Sequence, residues 1–135
     1  MRLMISEFDL TTRILLAVLL GGLLGLERER VDKPAGLRTH ILVCLGSCLF
    51  TILSFDAFPG SDPSRIAAYV VAGIGFIGAG VIFQSGKRIT GVTTAASLWV
   101  TTSIGMAVGV GYYIAGLLTS VISYVILRLG VIEKR

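Results

Sequence analysis

The densest run of residues able to do chemistry is Glu27-Arg28-Glu29-Arg30-Val31-Asp32-Lys33-Pro34-Ala35-Gly36-Leu37-Arg38-Thr39-His40. It mixes carboxylates, guanidiniums, an ammonium and the single histidine of the chain. Such a set can bind an anion, receive a partner or neutralise itself. Pro34 and Gly36 break the helix and permit a compact reversal. The flanks then run antiparallel, which sets Glu27 at a depth similar to that of Arg38, beside Arg28. Charge at the edge of hydrocarbon is costly unless paired, so Glu27, Arg28 and Arg38 are expected to form one coupled network. That network orients the two flanking helices; a ligand or partner surface that includes Thr39 and His40 is the sharper alternative.

A second polar connector covers residues 56–65 and carries Asp56, Asp62 and Arg65. Asp62 is expected to cap a helix, with Pro63 at its first position. Asp56 and Asp62 could instead meet a hydrated divalent cation, because magnesium binds few carboxylates and keeps its waters; Arg65 would partly offset their charge. Thr93, after the basic pair Lys87-Arg88, reads as an N-cap, with an anion at the exposed amides as the less favoured use. Two stripes of hydroxyls and thiols complete the inventory: His40, Cys44, Ser47, Thr51 and Ser54 in one segment, and Thr94, Ser97, Thr101 and Gly105 in another. Their spacing puts each set on one helix face. Ser and Thr can also bond carbonyls of their own helix, so interhelical hydrogen bonding is favoured over two walls of a permeation route. The two cysteines, one turn apart, read as reduced packing residues. No nucleophile sits beside a base, no ligand set converges, and no phosphate-binding glycine loop is present, so neither an enzyme nor a resident cofactor is expected.

The segments that must position these residues are five apolar stretches, at about 11–26, 37–55, 66–83, 93–108 and 112–127. Apolar residues make up 54% of the chain and charged ones only 15%, against ~25% charged in soluble domains. Several stretches approach the ~20 residues that cross a bilayer, and lipid requires such segments to be helices. The expected fold is therefore all-α: a single polytopic membrane bundle of five transmembrane helices filling residues 1–135, with no separate soluble domain. With the N-terminus outside, nine basic residues (Arg28, Arg30, Lys33, Arg38, Lys87, Arg88, Arg128, Lys134, Arg135) lie inside and three (Arg2, Arg13, Arg65) lie outside. That bias predicts N-out and C-in, with Tyr112 and Tyr113 at the outer interface. The net charge of +4 is thus a topology signal, and nucleic acid is not an expected partner. The first stretch lacks a small-x-small cleavage site and is not read as a signal peptide.

Packing between helices in lipid depends on small residues. Ala17, Gly21 and Gly25 form a stripe in the first span; Ala68, Ala72, Gly75 and Ala79 form one in the third, with Gly73, Gly78 and Gly80 adding to its small-residue surface; Gly105 and Gly109 close the fourth. The third helix is expected near the centre of the bundle, and a homodimer is expected through glycine-lined faces of helix one or three.

The same segments resemble the MgtC/SapB family. Gly25-Leu26-Glu27-Arg28 followed by Lys33-Pro34-Ala35-Gly36-Leu37-Arg38-Thr39-His40 resembles its first inner motif. Asp62-Pro63-Ser64-Arg65-Ile66-Ala67-Ala68 and Gly73-Ile74-Gly75-Phe76-Ile77-Gly78-Ala79-Gly80 resemble its third-span motif, and Gly91-Val92-Thr93-Thr94-Ala95-Ala96-Ser97-Leu98-Trp99 the start of its fourth span. The likeness runs from about residue 17 to 116. It implies a bacterial inner-membrane protein linked to growth at low magnesium and, in pathogens, to survival in macrophages. It further implies a regulator of membrane partners such as the ATP synthase, or of phosphate uptake, with magnesium as a sensed or bound ion. Many members add a soluble C-terminal domain, whereas this chain resembles the membrane module alone. The competing expectation is a small ion-binding or ion-conducting protein built on the polar stripes.

Overall fold

The computed structural model describes residues 5–132; Arg2, Lys134 and Arg135, which enter the charge count above, lie outside them. The order is α1 (Glu7–Arg30), α2 (Leu37–Asp56), α3 (Ser64–Ala79), β1 (Phe83–Ser85), β2 (Arg88–Thr90), α4 (Val92–Gly109) and α5 (Tyr113–Ile132). The helix α1 runs past both ends of its apolar stretch because its ends are well terminated. Ser6 Oγ accepts from the Asp9 amide at 3.1 Å. Glu7 and Asp9 occupy the first turn and Arg28 and Arg30 the last, which suits the helix dipole.

Among the described residues four helices are long and apolar enough to cross a membrane: Glu7–Arg30, Leu37–Asp56, Val92–Gly109 and the Tyr113–Gly130 part of α5. The fifth, α3, has 16 residues and reaches only about 24 Å at ~1.5 Å per residue. The apolar run expected to continue to Phe83 leaves the helix at Gly80 and becomes a hairpin. Its register is Phe83 with Thr90, Gln84 with Ile89 and Ser85 with Arg88, turned by Gly86 at φ +60°. The β-branched and aromatic residues after Gly80 favour a strand once the helix stops. Gly91, between hairpin and α4, has φ +89°, and an added Cβ would collide with the Val81 carbonyl. That position accepts only glycine, and it makes Gly91 the N-cap of α4. Thr93, expected as the cap, lies within the first turn.

The centre of the bundle is α2 with α4. The helix α2 packs against α1, α3 and α4, and α4 touches every other helix. Ala17, Leu24, Cys44, Cys48, Ile104 and Val108 form the core, all at 0% exposure. The placement of α3 corrects the expectation: it is peripheral, and its buried residues are Ile74 and Gly78 alone. Outward faces carry large apolar side chains such as Leu15, Leu19, Phe76, Ile114 and Leu129, which lipid can cover. The interior holds the polar ones.

Candidate functional site: buried polar networks at the two ends of the bundle

The C-termini of α1, α3 and α5 and the N-termini of α2 and α4 share one end of the bundle, together with the hairpin. This basic end holds Arg28, Arg30, Lys33, Arg38, Lys87, Arg88 and Arg128 among the described residues. Within it Glu27 and Arg28 are 1% and 3% exposed. Arg28 Nε donates to Glu27 Oε2 at 2.5 Å, and a longer contact of 3.4 Å leads from its Nη2 to the Leu127 carbonyl. The pair therefore ties α1 to α5. Glu27 Oε1 has no partner among the described residues, so a buried carboxylate is only half satisfied. A cavity of about 300 Å³ opens at Arg28, lined also by Lys33, Thr93, Leu127 and neighbours.

His40 is fully buried and links α2 to α4. Its Nδ1 lies 2.9 Å from the Gly36 carbonyl and its Nε2 3.0 Å from Ser97 Oγ. A carbonyl only accepts, so Nδ1 carries a proton. The single Ser97 hydroxyl proton then goes either to Nε2 or to the Thr94 carbonyl, 2.7 Å away. With a neutral ring the His40 Nε2 thus competes with the serine's own helix for that proton, whereas a protonated Nε2 would donate to Ser97 Oγ and leave the serine free to donate to Thr94.

Of the expected trio, Glu27 and Arg28 meet, while Arg38 is exposed and makes no ion pair or hydrogen bond with the described residues. The carboxylate that bridges the α1–α2 turn is Glu29, whose Oε2 accepts from the Leu37 amide at 2.6 Å. Thr39 is half-buried.

The opposite end holds a network that sequence reasoning missed. Arg13, 9% exposed, donates through Nη1 to the Gly109 carbonyl at 2.6 Å and through Nη2 to Asp9 Oδ2 at 2.5 Å. The Tyr113 hydroxyl donates to Asp9 Oδ1 at 2.6 Å, and the Phe55 ring centroid lies 5.9 Å from the guanidinium. One arginine so joins α1, α2, α4 and α5. The available signal was Asp9 and Arg13 at i, i+4 ahead of an apolar run; Tyr113 joins this network, while Tyr112 is the outward ring.

The two acidic candidates for a cation are each tied to backbone. Asp56, 5% exposed, accepts from the Ile5 amide at 3.2 Å. Asp62 Oδ1 accepts from the Ser64 hydroxyl at 2.7 Å and the Ser64 amide at 2.9 Å, which starts α3. Those bonds hold its carboxyl below the usual carboxylate range. Among the described residues no group of three His, Cys, Asp or Glu side chains could hold a metal ion. Arg65 is exposed.

The polar stripes face each other at the α2–α4 seam. Ser47, Thr51, Thr94, Ser97 and Thr101 are 6% exposed or less. Ser47 bonds the Cys44 carbonyl, Thr51 the Ser47 carbonyl and Thr101 the Ser97 carbonyl. Ser54 reaches the Pro63 carbonyl at 2.5 Å, fastening the end of α2 to the start of α3. Cys44 and Cys48 are free and buried. The glycines let the backbones meet. A Cβ on Gly105 would strike Ser47 Oγ and the Cys44 carbonyl; one on Gly109 would lie 2.8 Å from the Cys48 carbonyl. On α1, a Cβ at Gly21 would lie 2.7 Å from Cys44 Cβ and one at Gly25 2.8 Å from Leu37 Cα. The Ala17-Gly21-Gly25 stripe is therefore spent within the chain and is not free for a dimer. An added Cβ at Gly73 or Gly75 would meet nothing within 4 Å; at Gly78 it would lie 3.7 Å from Ala95 Cβ, and at Gly80 3.2 Å from the Ile77 carbonyl.

An apolar-surfaced helical bundle with buried charges at both ends defines a polytopic membrane protein. The model of the MgtC family matches residues 14–133, and the chain belongs to that family. It is 47% identical over 133 residues to YhiD of Escherichia coli K12, which is named as a candidate magnesium transporter, covering 93% of this chain and 61% of that one. It is 44% identical over 115 residues to the protein MgtC of Salmonella typhimurium LT2, covering 85% and 49%. An uncharacterized protein of Haemophilus influenzae is 38% identical over 134 residues, covering 92% and 56%. The chain thus spans about half to three-fifths of the length of these relatives. No solved structure matches it.

Proposed function

We propose that this protein is a non-enzymatic regulator in the bacterial inner membrane that acts on other membrane proteins during adaptation to low magnesium. The observation that carries the reading is the closed α2–α4 seam. The hydroxyls of Ser47, Thr51, Ser97 and Thr101 each bond a carbonyl, and the helices approach until Gly105 leaves no space for a Cβ. Such a seam offers no row of polar groups to replace the hydration shell of an ion. What remains available is the basic end, with Arg28 and Lys33 lining an open cavity. With the N-terminus outside, that end faces the cytoplasm, where an acidic surface of a partner such as the ATP synthase would meet it. Self-association as a dimer would use the Gly75 face of α3, because the stripe on α1 is occupied.

The test is growth at low magnesium of a host strain lacking its own copy. The wild-type chain should restore growth, and Lys33→Glu should abolish rescue while leaving the protein level unchanged. Full rescue by Lys33→Glu would remove the basic end from the function. Magnesium transport is the second reading, favoured by the name of YhiD and by the unpartnered Oε1 of Glu27.

A further inference from the structure

We propose that the groove between α2 and α3 holds one acyl chain of an anionic glycerophospholipid, whose phosphate binds Arg38 and Thr39 at the basic end. The groove encloses about 440 Å³, with Leu42, Gly46 and Phe50 on one wall and Val70, Gly73 and Ile77 on the other. Leu42 to Phe50 and Ile66 to Ile77 set its length at roughly 12–16 Å along the helices. It exists because two glycines face it: a Cβ at Gly46 or Gly73 would meet nothing within 4 Å. Tyr69, Leu42 and Phe50 are 76%, 66% and 53% exposed and stand as large side chains around a narrow slot. A slot of this shape suits a single aliphatic chain better than a helix ~10–12 Å across. Apart from Tyr69, which is exposed, its hydroxyl-bearing lining is Ser47 and Thr102, and both are committed to carbonyls of their own helices. Nothing in the groove calls for a polar ligand.

The headgroup follows from charge. Arg38 stands one turn beyond Leu42 on the same side of α2, and Thr39 stands one turn beyond Val43. Arg38 is exposed and has no protein partner among the described residues. Of the α1 carboxylates at this end, Glu29 is engaged on the Leu37 amide and Glu27 on Arg28. Beyond the end of α3 the hairpin adds Lys87 and Arg88, both exposed. At the other end of the groove Asp62 accompanies Arg65. Only the basic end thus offers an arginine without a counter-charge at the level of lipid phosphates, and a guanidinium matches a phosphate bidentately. The proposal rests on the membrane-spanning fold and is independent of the regulatory reading.

The test is native mass spectrometry of the full chain in mild detergent, titrated separately with phosphatidylglycerol and with phosphatidylcholine of the same acyl chains. The wild type should retain one phosphatidylglycerol in preference to phosphatidylcholine. Arg38→Gln should lose about fivefold in phosphatidylglycerol affinity and leave phosphatidylcholine unchanged. Gly46→Leu and Gly73→Leu, on opposite walls, should each fill the slot and lose both lipids, with helicity by circular dichroism reporting that they fold; if one does not, the other carries the test. Equal binding of the two lipids by the wild type, an undiminished preference in Arg38→Gln, or retained lipid in a folded Leu variant would overturn the proposal. So would a lipid-free dimer that Gly73→Leu separates, which would put a second copy in the groove.

Discussion

Glu27 and Arg28 are neighbours in sequence, and neighbours on a helix ordinarily point about 100° apart, so spacing rules pass over them. Here both side chains turn inward at the end of α1, where Arg28 also reaches toward the Leu127 carbonyl. Sequence reasoning expected Glu27 to lie between two guanidiniums, Arg28 and Arg38, because the turn geometry sets Glu27 and Arg38 at similar depth; only Arg28 meets it. The choice among nearby arginines depends on where α5 lies, and nothing local encodes that. Arg28→Gln should strand a buried carboxylate and cost about 3–5 kcal/mol, read by thermal unfolding in detergent. Glu27→Gln with Arg28→Gln should cost less than the sum of the singles. Glu27→Gln with Arg38→Gln should be additive in stability; coupling there would restore the pairing that the turn geometry suggested. Arg13 was hidden for a similar reason: its Asp9 partner was visible at i, i+4, but Tyr113 and the Gly109 carbonyl arrive from distant segments.

Helix count and the reversal at residues 34–36 were legible, because each follows from local periodicity or helix breakers. Asp62 bonds Ser64 at the start of α3, but the N-cap is Pro63, and most stripe hydroxyls bond their own helix rather than across the seam. The end of α3 was not legible. The apolar run continues through Val81, Ile82 and Phe83, and apolarity alone does not separate a buried strand from a helix. Gly86 was the overlooked turn signal. The small-residue stripes on α1 and α4 were read correctly as contact surfaces, whereas the stripe of Ala68, Ala72, Gly75 and Ala79 on α3 is exposed. Those on α1 and α4 meet α2, and α3 keeps Gly73 and Gly75 open. Gly105→Ala should therefore destabilise by about 1–3 kcal/mol through overpacking, whereas Gly75→Ala should fall within ~0.5 kcal/mol of wild type. Both are read by the same melting assay, and equal effects would contradict the seam. Gly91→Ala should lose at least ~1–2 kcal/mol from the left-handed backbone alone, beyond its clash with Val81; wild-type stability would show that the α3–hairpin–α4 corner is not built as described.

As a whole the molecule wears its apolar residues outside and ties its charges inside, the arrangement lipid imposes. The concentration of cations at the α1–α2 turn and the hairpin predicts that this end stays in the cytoplasm. Reporters inserted beside Gly60 and beside Gly86 should be active on opposite sides of the membrane; activity on the same side would mean that α3, at 16 residues, does not cross. The central claim is that the seam between α2 and α4 is sealed and the protein regulates others without conducting ions. The most direct measurement is magnesium and proton flux into liposomes containing this protein alone. Flux equal to that of protein-free vesicles is expected, both for the wild type and for Glu27→Gln. A saturable wild-type flux that Glu27→Gln abolishes would contradict the claim and establish the half-satisfied carboxylate as part of a transport path.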